Sequence, residues 1–148
     1  MTLKSNIQND MKVALRAGEK DRLGVIRMLL AAIQTREIEK RDGLDDSEIL
    51  QVVEKLIKQR KDAAQQYADA GRPDREAQEL SEAELLKAYL PEQLSEAELV
   101  SLLDEIMTST GASSMKDMGK VMAALREQAQ GRADMGTLSA LVKARLAD

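Results

Sequence analysis

Apolar positions along the chain recur at intervals of three and four and almost never alternate, so the pattern predicts an all-α protein. A first helix runs from Leu3 to about Ala17, with Leu3, Ile7, Met11, Ala14 and Leu15 on one stripe and Gly18 as its stop. Asp21 is placed to cap a second helix, which carries Leu23, Ile26, Leu30 and Ile33 and runs to about Lys40, ahead of Asp42-Gly43. A third opens at Asp45 or Ser47, follows the stripe Ile49, Val52, Val53, Leu56, Ile57, Ala64 and Tyr67, and ends at Gly71. The Gly71-Arg72-Pro73 turn starts a fourth, because proline at the first helical position gives up an N–H that has no intrahelical partner anyway. Glu76 and Glu79 lie near the positive end of that helix's dipole. It should end near Tyr89, since the residue preceding Pro91 disfavours helical geometry.

A hexamer complicates this reading. Leu80-Ser81-Glu82-Ala83-Glu84-Leu85 recurs as Leu94-Ser95-Glu96-Ala97-Glu98-Leu99, and each copy fits a capping box, serine followed three residues later by glutamate. The second copy follows Pro91 and reads as a helix start. The first lies within a run that otherwise reads as continuous helix, and continuity is the expectation there. Three shorter helices follow: Glu96–Ser109 ending at Gly111, then Met115 to Ala129 with Met118, Met122, Leu125 and Ala129 inward, then one capped by Asp134 with Met135, Leu138, Leu141, Val142 and Leu146 inward. The boundary falls at Leu90-Pro91-Glu92. It divides a helical N-terminal domain of about four helices, 1–92, from a three-helix C-terminal bundle, 93–148.

Composition narrows the chemistry. The chain has no Cys, His, Trp or Phe, and its only aromatic residues are Tyr67 and Tyr89. Disulfides, thiolate or imidazole metal sites and Ser–His–Asp or Cys–His catalytic units are therefore excluded. So is an aromatic platform for stacking bases. No Gly-rich phosphate loop exists: Gly119-Lys120 has Ser114 where the first glycine belongs and Val121 where Ser or Thr belongs. The twenty-six carboxylates, with Glu76, Glu79 and Glu84 close in sequence, read as wet helix faces, and no catalytic constellation, metal site or cofactor site emerges. The longest apolar run is the six residues Met28–Ile33, too short to span a membrane. With no apolar leader at Met1–Asn6 and no cysteine to oxidise, the expected location is the cytoplasm.

The net charge of −4 conceals a distribution. Nine Lys/Arg against six Asp/Glu give residues 1–44 a charge of +3, and residues 45–71 carry −2. Residues 72–110 carry −7, and residues 111–148 return to +2. Some residues depart from their local pattern. Arg60 lies on the apolar seam of the third helix and Arg27 interrupts an apolar run of the second. Each reads as a snorkelling stem or as a contact to an anion or partner. Gly119, mid-helix on this reading, suggests close helix packing, and Met115, Met118 and Met122 form a stripe read as core.

Several stretches carry a family resemblance. Lys116-Asp117-Met118-Gly119-Lys120-Val121-Met122, Gly131-Arg132-Ala133-Asp134, and Leu141-Val142-Lys143 with Leu146 look like the tail module of the GatB/YqeY family. Tyr89-Leu90-Pro91-Glu92-Gln93-Leu94 resembles its linker. Arg22-Leu23, Arg27-Met28-Leu29-Leu30 and Lys58-Gln59-Arg60-Lys61 are similar to the N-terminal part of the stand-alone YqeY-like proteins. The resemblance covers nearly the whole chain. It implies a two-part all-α protein related to the tail of the aspartyl/glutamyl-tRNA amidotransferase B subunit, a carbon–nitrogen ligase using glutamine as amido donor. In that subunit the tail contacts the tRNA body while a separate domain, which this sequence lacks, performs the chemistry.

The implied role is thus a non-catalytic, tRNA-associated accessory protein. Lys116, Lys120, Arg132, Lys143 and Arg145 are the candidate tRNA contacts, on helix faces that the apolar stripes leave outward. Phosphate and 2′-hydroxyl contacts need no aromatic residues. The alternative is a protein–protein adaptor without RNA binding, favoured by the acidic middle segment, the Met stripe, and Arg27 and Arg60 as partner or anion contacts. The partner is accordingly tRNA, a tRNA-bound complex or another protein, with no membrane and no cofactor.

Overall fold

The computed structural model describes residues 2–147. They form seven α-helices: α1 (Leu3–Ala17), α2 (Lys20–Lys40), α3 (Asp46–Asp69), α4 (Pro73–Lys87), α5 (Glu96–Thr110), α6 (Met118–Gln128) and α7 (Met135–Ala147). A 3-10 turn, Met115–Asp117, leads into α6, and no strand occurs among the described residues. The helices group into two compact units, residues 1–90 and 91–148.

In the first unit α2 touches each of α1, α3 and α4, while α3 and α4 form the most extensive pair. Its core is Ile7 and Ala14 of α1, Val25, Ile26, Leu29 and Ile33 of α2, the Ile49–Ile57 stripe of α3, and Ala83 and Leu86 of α4. The α2 register differs from the expected one by about one position. Leu29 is completely buried whereas Leu30 is only partly so. This helix carries apolar residues almost all round between Val25 and Ile33, so its neighbours on several sides, not its own periodicity, choose the face that is buried. Leu15, also expected inward, is 57% exposed.

The helix ends show which sequence signals decide. Gly18 closes α1 with φ +70°. The second helix starts at Lys20 after Glu19, so Asp21 lies in its first turn and does not cap it. Its stop is Arg41, ahead of Asp42-Gly43, at φ +62° with its N–H donating to the carbonyls of Glu37 and Ile38. Asp45, not Ser47, caps α3: its side chain accepts from the Glu48 N–H, and Glu48 returns to the Asp45 N–H. Glu48 also holds Lys40 at 2.7 Å, which clasps the α2–α3 turn. At the same end of the unit, Lys4 reaches Glu37 at 2.8 Å and the Leu3 N–H donates to Asp46.

The fourth helix passes through Ser81 without interruption and ends at Lys87, two residues before the expected Tyr89. Tyr89 and Leu90 instead form turns, their N–H groups donating to Leu86 and Lys87. Ser95, in the second copy of the hexamer, does form a capping box with Glu98.

In the second unit α6 packs on both α5 and α7, burying Leu99, Leu103 and Ile106 against Val121, Met122, Leu125, Leu138, Val142 and Leu146. The expected helix from Met115 is corrected: its first three residues form the 3-10 turn, because Asp117 turns back to accept from the N–H groups of Ser113 and Ser114. Gly119 consequently sits in the first turn of α6, and a Cβ there would meet nothing within 4 Å, so close packing does not explain it. Met115 is 47% exposed, and only Met122 of the Met stripe is buried.

Two substitutions test this account by urea unfolding. Leu29→Ala removes a completely buried side chain and should cost about 2–5 kcal/mol. Arg41→Gly relieves a left-handed non-glycine residue and should stabilise by up to about 1 kcal/mol. An Arg41→Gly protein no more stable than wild type would show that the C-cap carries no strain.

Candidate functional site

The five candidate cations all lie in the second unit, but the fold treats them differently. Arg145, in the last turn of α7, forms an ion pair with Asp104 of α5. Arg132 is half-buried, and its Nε donates to the Glu92 carbonyl at 3.1 Å. Lys120 is exposed, and its ammonium donates to the carbonyl of Thr110, the last residue of α5, at 3.0 Å. That carbonyl belongs to the negative end of a helix dipole, where a cation is favoured. Lys116 and Lys143 are exposed and make no ion pair among the described residues. They sit on the 3-10 turn and on α7, which pack against one another. The site therefore reduces to two unpartnered ammonium groups on adjacent elements, with Lys120 as a third that one weak carbonyl contact holds.

The two candidates in the first unit also separate. Arg60 of α3 lies between Glu79 and Glu82 of α4, at 3.7 Å and 3.5 Å. Its charge is neutralised inside the unit and serves the α3–α4 interface. Its Nε and Glu79 Oε2 have no hydrogen-bond partner, so the cluster is held by charge proximity more than by aligned bonds. Arg27 is exposed on α2 without an ion pair among the described residues.

A polar cluster that the periodicity does not announce joins α1, α2 and the end of α4. The Tyr89 hydroxyl donates to Asp10 Oδ2 at 2.7 Å, and Arg22 lies 4.0 Å from Asp10 and 3.5 Å from Glu19. These groups edge a small cavity of about 120 Å³ over Val25 and Ile26. Burial first, then the bond to the Asp10 carboxylate, push the Tyr89 phenol well above its ordinary value near 10. The available signal was a single carboxylate between Ile7 and Met11 on an otherwise apolar stripe, paired with one of only two tyrosines.

The linker beyond Tyr89 is fastened within the second unit. Gln93 donates to the Gly131 carbonyl at 2.7 Å, and the Leu94 N–H donates to the Arg132 carbonyl at 2.8 Å. Gly131 is buried at φ +72°, a conformation that glycine adopts at little cost. Asp134 accepts from the Thr137 N–H at 3.0 Å and opens α7. The Gly131-Arg132-Ala133-Asp134 stretch is thus a structural receptor for the linker as well as a helix start, and Arg132 faces Glu92 more than solvent.

No helix among the described residues is long and apolar enough to cross a membrane, and no group of three or more Asp/Glu among them is placed to hold a metal ion. Comparison with known proteins gives one family, the Yqey-like proteins, whose model matches residues 4–146. The relatives include "Altered inheritance of mitochondria protein 41, mitochondrial" from Lachancea thermotolerans, 34% identical over 123 residues, 78% of this chain and 66% of the relative. Those of Saccharomyces cerevisiae and Vanderwaltozyma polyspora are 29% and 28% identical over 76% of this chain and 64% of their own length. The chain thus spans just under two thirds of these relatives. Their names place them in mitochondria, which overturns the expectation of a cytoplasmic location. The physical reason is plain: missing cysteines and short apolar runs suit any aqueous compartment and select none.

Tyr89→Phe isolates the part-buried hydroxyl–carboxylate bond of the cluster and should lower stability by about 1 kcal/mol at neutral pH. Because the folded phenol is held above its unfolded value, its contribution is complete below pH 10 and is lost as the unfolded phenol ionises above it. The stability gap between wild type and Tyr89→Phe should therefore stay constant at neutral pH and shrink as pH rises above about 10 in parallel urea titrations. A gap independent of pH would remove Tyr89 from this role.

Proposed function

The chain is a member of the YqeY-like family, and from that premise we propose that it is a non-catalytic accessory protein whose second unit rests against the phosphate backbone of tRNA. The observation that supports the reading is the pair Lys116 and Lys143, exposed and unpartnered on mutually packed elements, with Lys120 nearby in sequence on α6. Lysine presents a compact, hydrated charge, which suits phosphate contact without base readout. The resemblance to the amidotransferase B-subunit tail supplies the choice of tRNA over other polyanions and the link to glutamine-dependent amidation of charged tRNA. In that subunit a separate domain performs the chemistry, and the contribution proposed for this chain is contact.

Magnitude shapes the role. Three phosphate contacts give a log–log salt slope of roughly −2 to −3, so raising salt fourfold should weaken binding roughly 15- to 60-fold. Autonomous affinity of this kind is modest, and a tRNA already held by another protein is the more favourable target. The test is titration of bulk tRNA at low salt with wild type and with a Lys116→Ala/Lys120→Ala/Lys143→Ala variant. Wild type should bind in the micromolar range with that slope, and the variant should bind at least about tenfold more weakly with unchanged thermal melting. Absence of binding at tens of micromolar, insensitivity to salt, or equal binding by the variant would overturn the proposal.

A further inference from the structure

A groove along α5 of the second unit has the opposite charge. Ala97 and Ser101, one turn apart on α5, are exposed away from the face that buries Leu99, Leu103 and Ile106, while Leu94 and Leu102 are partly buried against that core and bring one edge each to the same surface. They floor an open groove of about 470 Å³, walled by Gln128 and Arg132. Glu98 and Glu105 stand along it, seven residues apart and so about 10 Å along the helix axis. Neither carboxylate has a cationic partner among the described residues, Glu98 accepting only the Ser95 N–H through one oxygen, and α5 contains no cation of its own. Arg132, the one cation in the wall, is tied through Nε to the Glu92 carbonyl.

We propose that this groove receives a basic amphipathic helix of a partner protein. The small residues Ala97 and Ser101 let a second helix approach closely at the middle, where a larger side chain would hold it off. Leu94 and Leu102 take apolar anchors of the partner at intervals of three, four and seven, as in recognition of a helix in a groove. Glu98 and Glu105 pair with lysine or arginine residues one heptad apart on the partner's flank. The same carboxylates repel a phosphate backbone, so nucleic acid does not compete for this face. The groove is too open to enclose a small molecule, most of whose surface a ligand site has to bury. The proposal stands independently of the tRNA reading, which uses different residues.

The probe is a fourteen-residue leucine–lysine amphipathic helix, with a control peptide carrying glutamate in place of each lysine, added to the isotopically labelled full chain. The lysine peptide should bind with a dissociation constant of roughly tens of micromolar and the glutamate peptide at least about tenfold more weakly. Amide shifts should centre on residues 97–105. Ser101→Arg, which fills the groove, and Glu105→Lys, which reverses its charge, should each weaken the lysine peptide at least about fivefold. Both positions are exposed, so thermal melting should be unchanged. Lys143→Ala should leave peptide binding as it is. Equal binding of the two peptides, shifts centred on the acidic α4 instead, indifference to both α5 substitutions, or no binding would each overturn the proposal.

Discussion

The proline at position 91 is the constraint on which the organisation of this chain depends. It denies Leu90 helical geometry and supplies no N–H of its own, so the backbone from Leu90 to Leu94 cannot satisfy its polar groups by continuing α4. Each side of the break finds its partners within its own unit. Tyr89 turns its hydroxyl to Asp10, while Gln93, the Leu94 N–H and the Glu92 carbonyl bond the Gly131–Arg132 segment. Gly131 is required because its left-handed backbone offers two successive carbonyls to the linker. What reads in the sequence as two separate motifs, at 89–94 and at 131–134, is therefore one interlocking arrangement within the second unit plus one anchor in the first.

This arrangement decides which charges remain for function. Five cations of the last segment are candidates for outward contact, but Arg132 supports the linker and Arg145 supports α5 through Asp104. Both arginines are engaged inside the unit, and of the five candidates those left outward are lysines, beside the exposed Arg126 of α6. The division follows from the side chains, since a planar guanidinium with several fixed donors suits holding structure and a hydrated ammonium suits a mobile contact. A net-charge count sees neither distinction.

Most of the fold was legible because helix interiors and stops depend on local rules. The stripe of α3, the left-handed glycines 18 and 111, Pro73 at the start of α4 and the Ser95 box all act within a turn or two of chain. What the sequence did not reveal depends on distant neighbours. The buried face of α2 is chosen by α1, α3 and α4 together, which is why Leu29 and not Leu30 is completely buried. The two copies of the same hexamer make the point sharply: one is helix interior and the other a helix start, and the proline three residues before the second copy, not the six residues, decides. At the candidate site, the residue types were legible and the partners were not. Arg60 meets Glu79 and Glu82 only after α3 and α4 fold back on each other.

The C-terminal unit thus presents two chemically opposed surfaces on three short helices. One carries the exposed Lys116 and Lys143, and the other carries Glu98 and Glu105, neither with a cationic partner among the described residues, along a groove of small residues. Unlike charges so close in a small unit would ordinarily pair with one another, as Arg145 and Asp104 do. Lys116 and Lys143 make no ion pair with Glu98 or Glu105, although Arg145 and Asp104 show that α7 and α5 come within reach of one another. Keeping the two sets apart leaves each with weak, charge-dependent affinity and prevents either from masking the other. A unit of this kind gains little by binding one partner alone. On the reading proposed for this unit, it gains most where a polyanion and a basic protein segment are already together, as with a tRNA held by a protein.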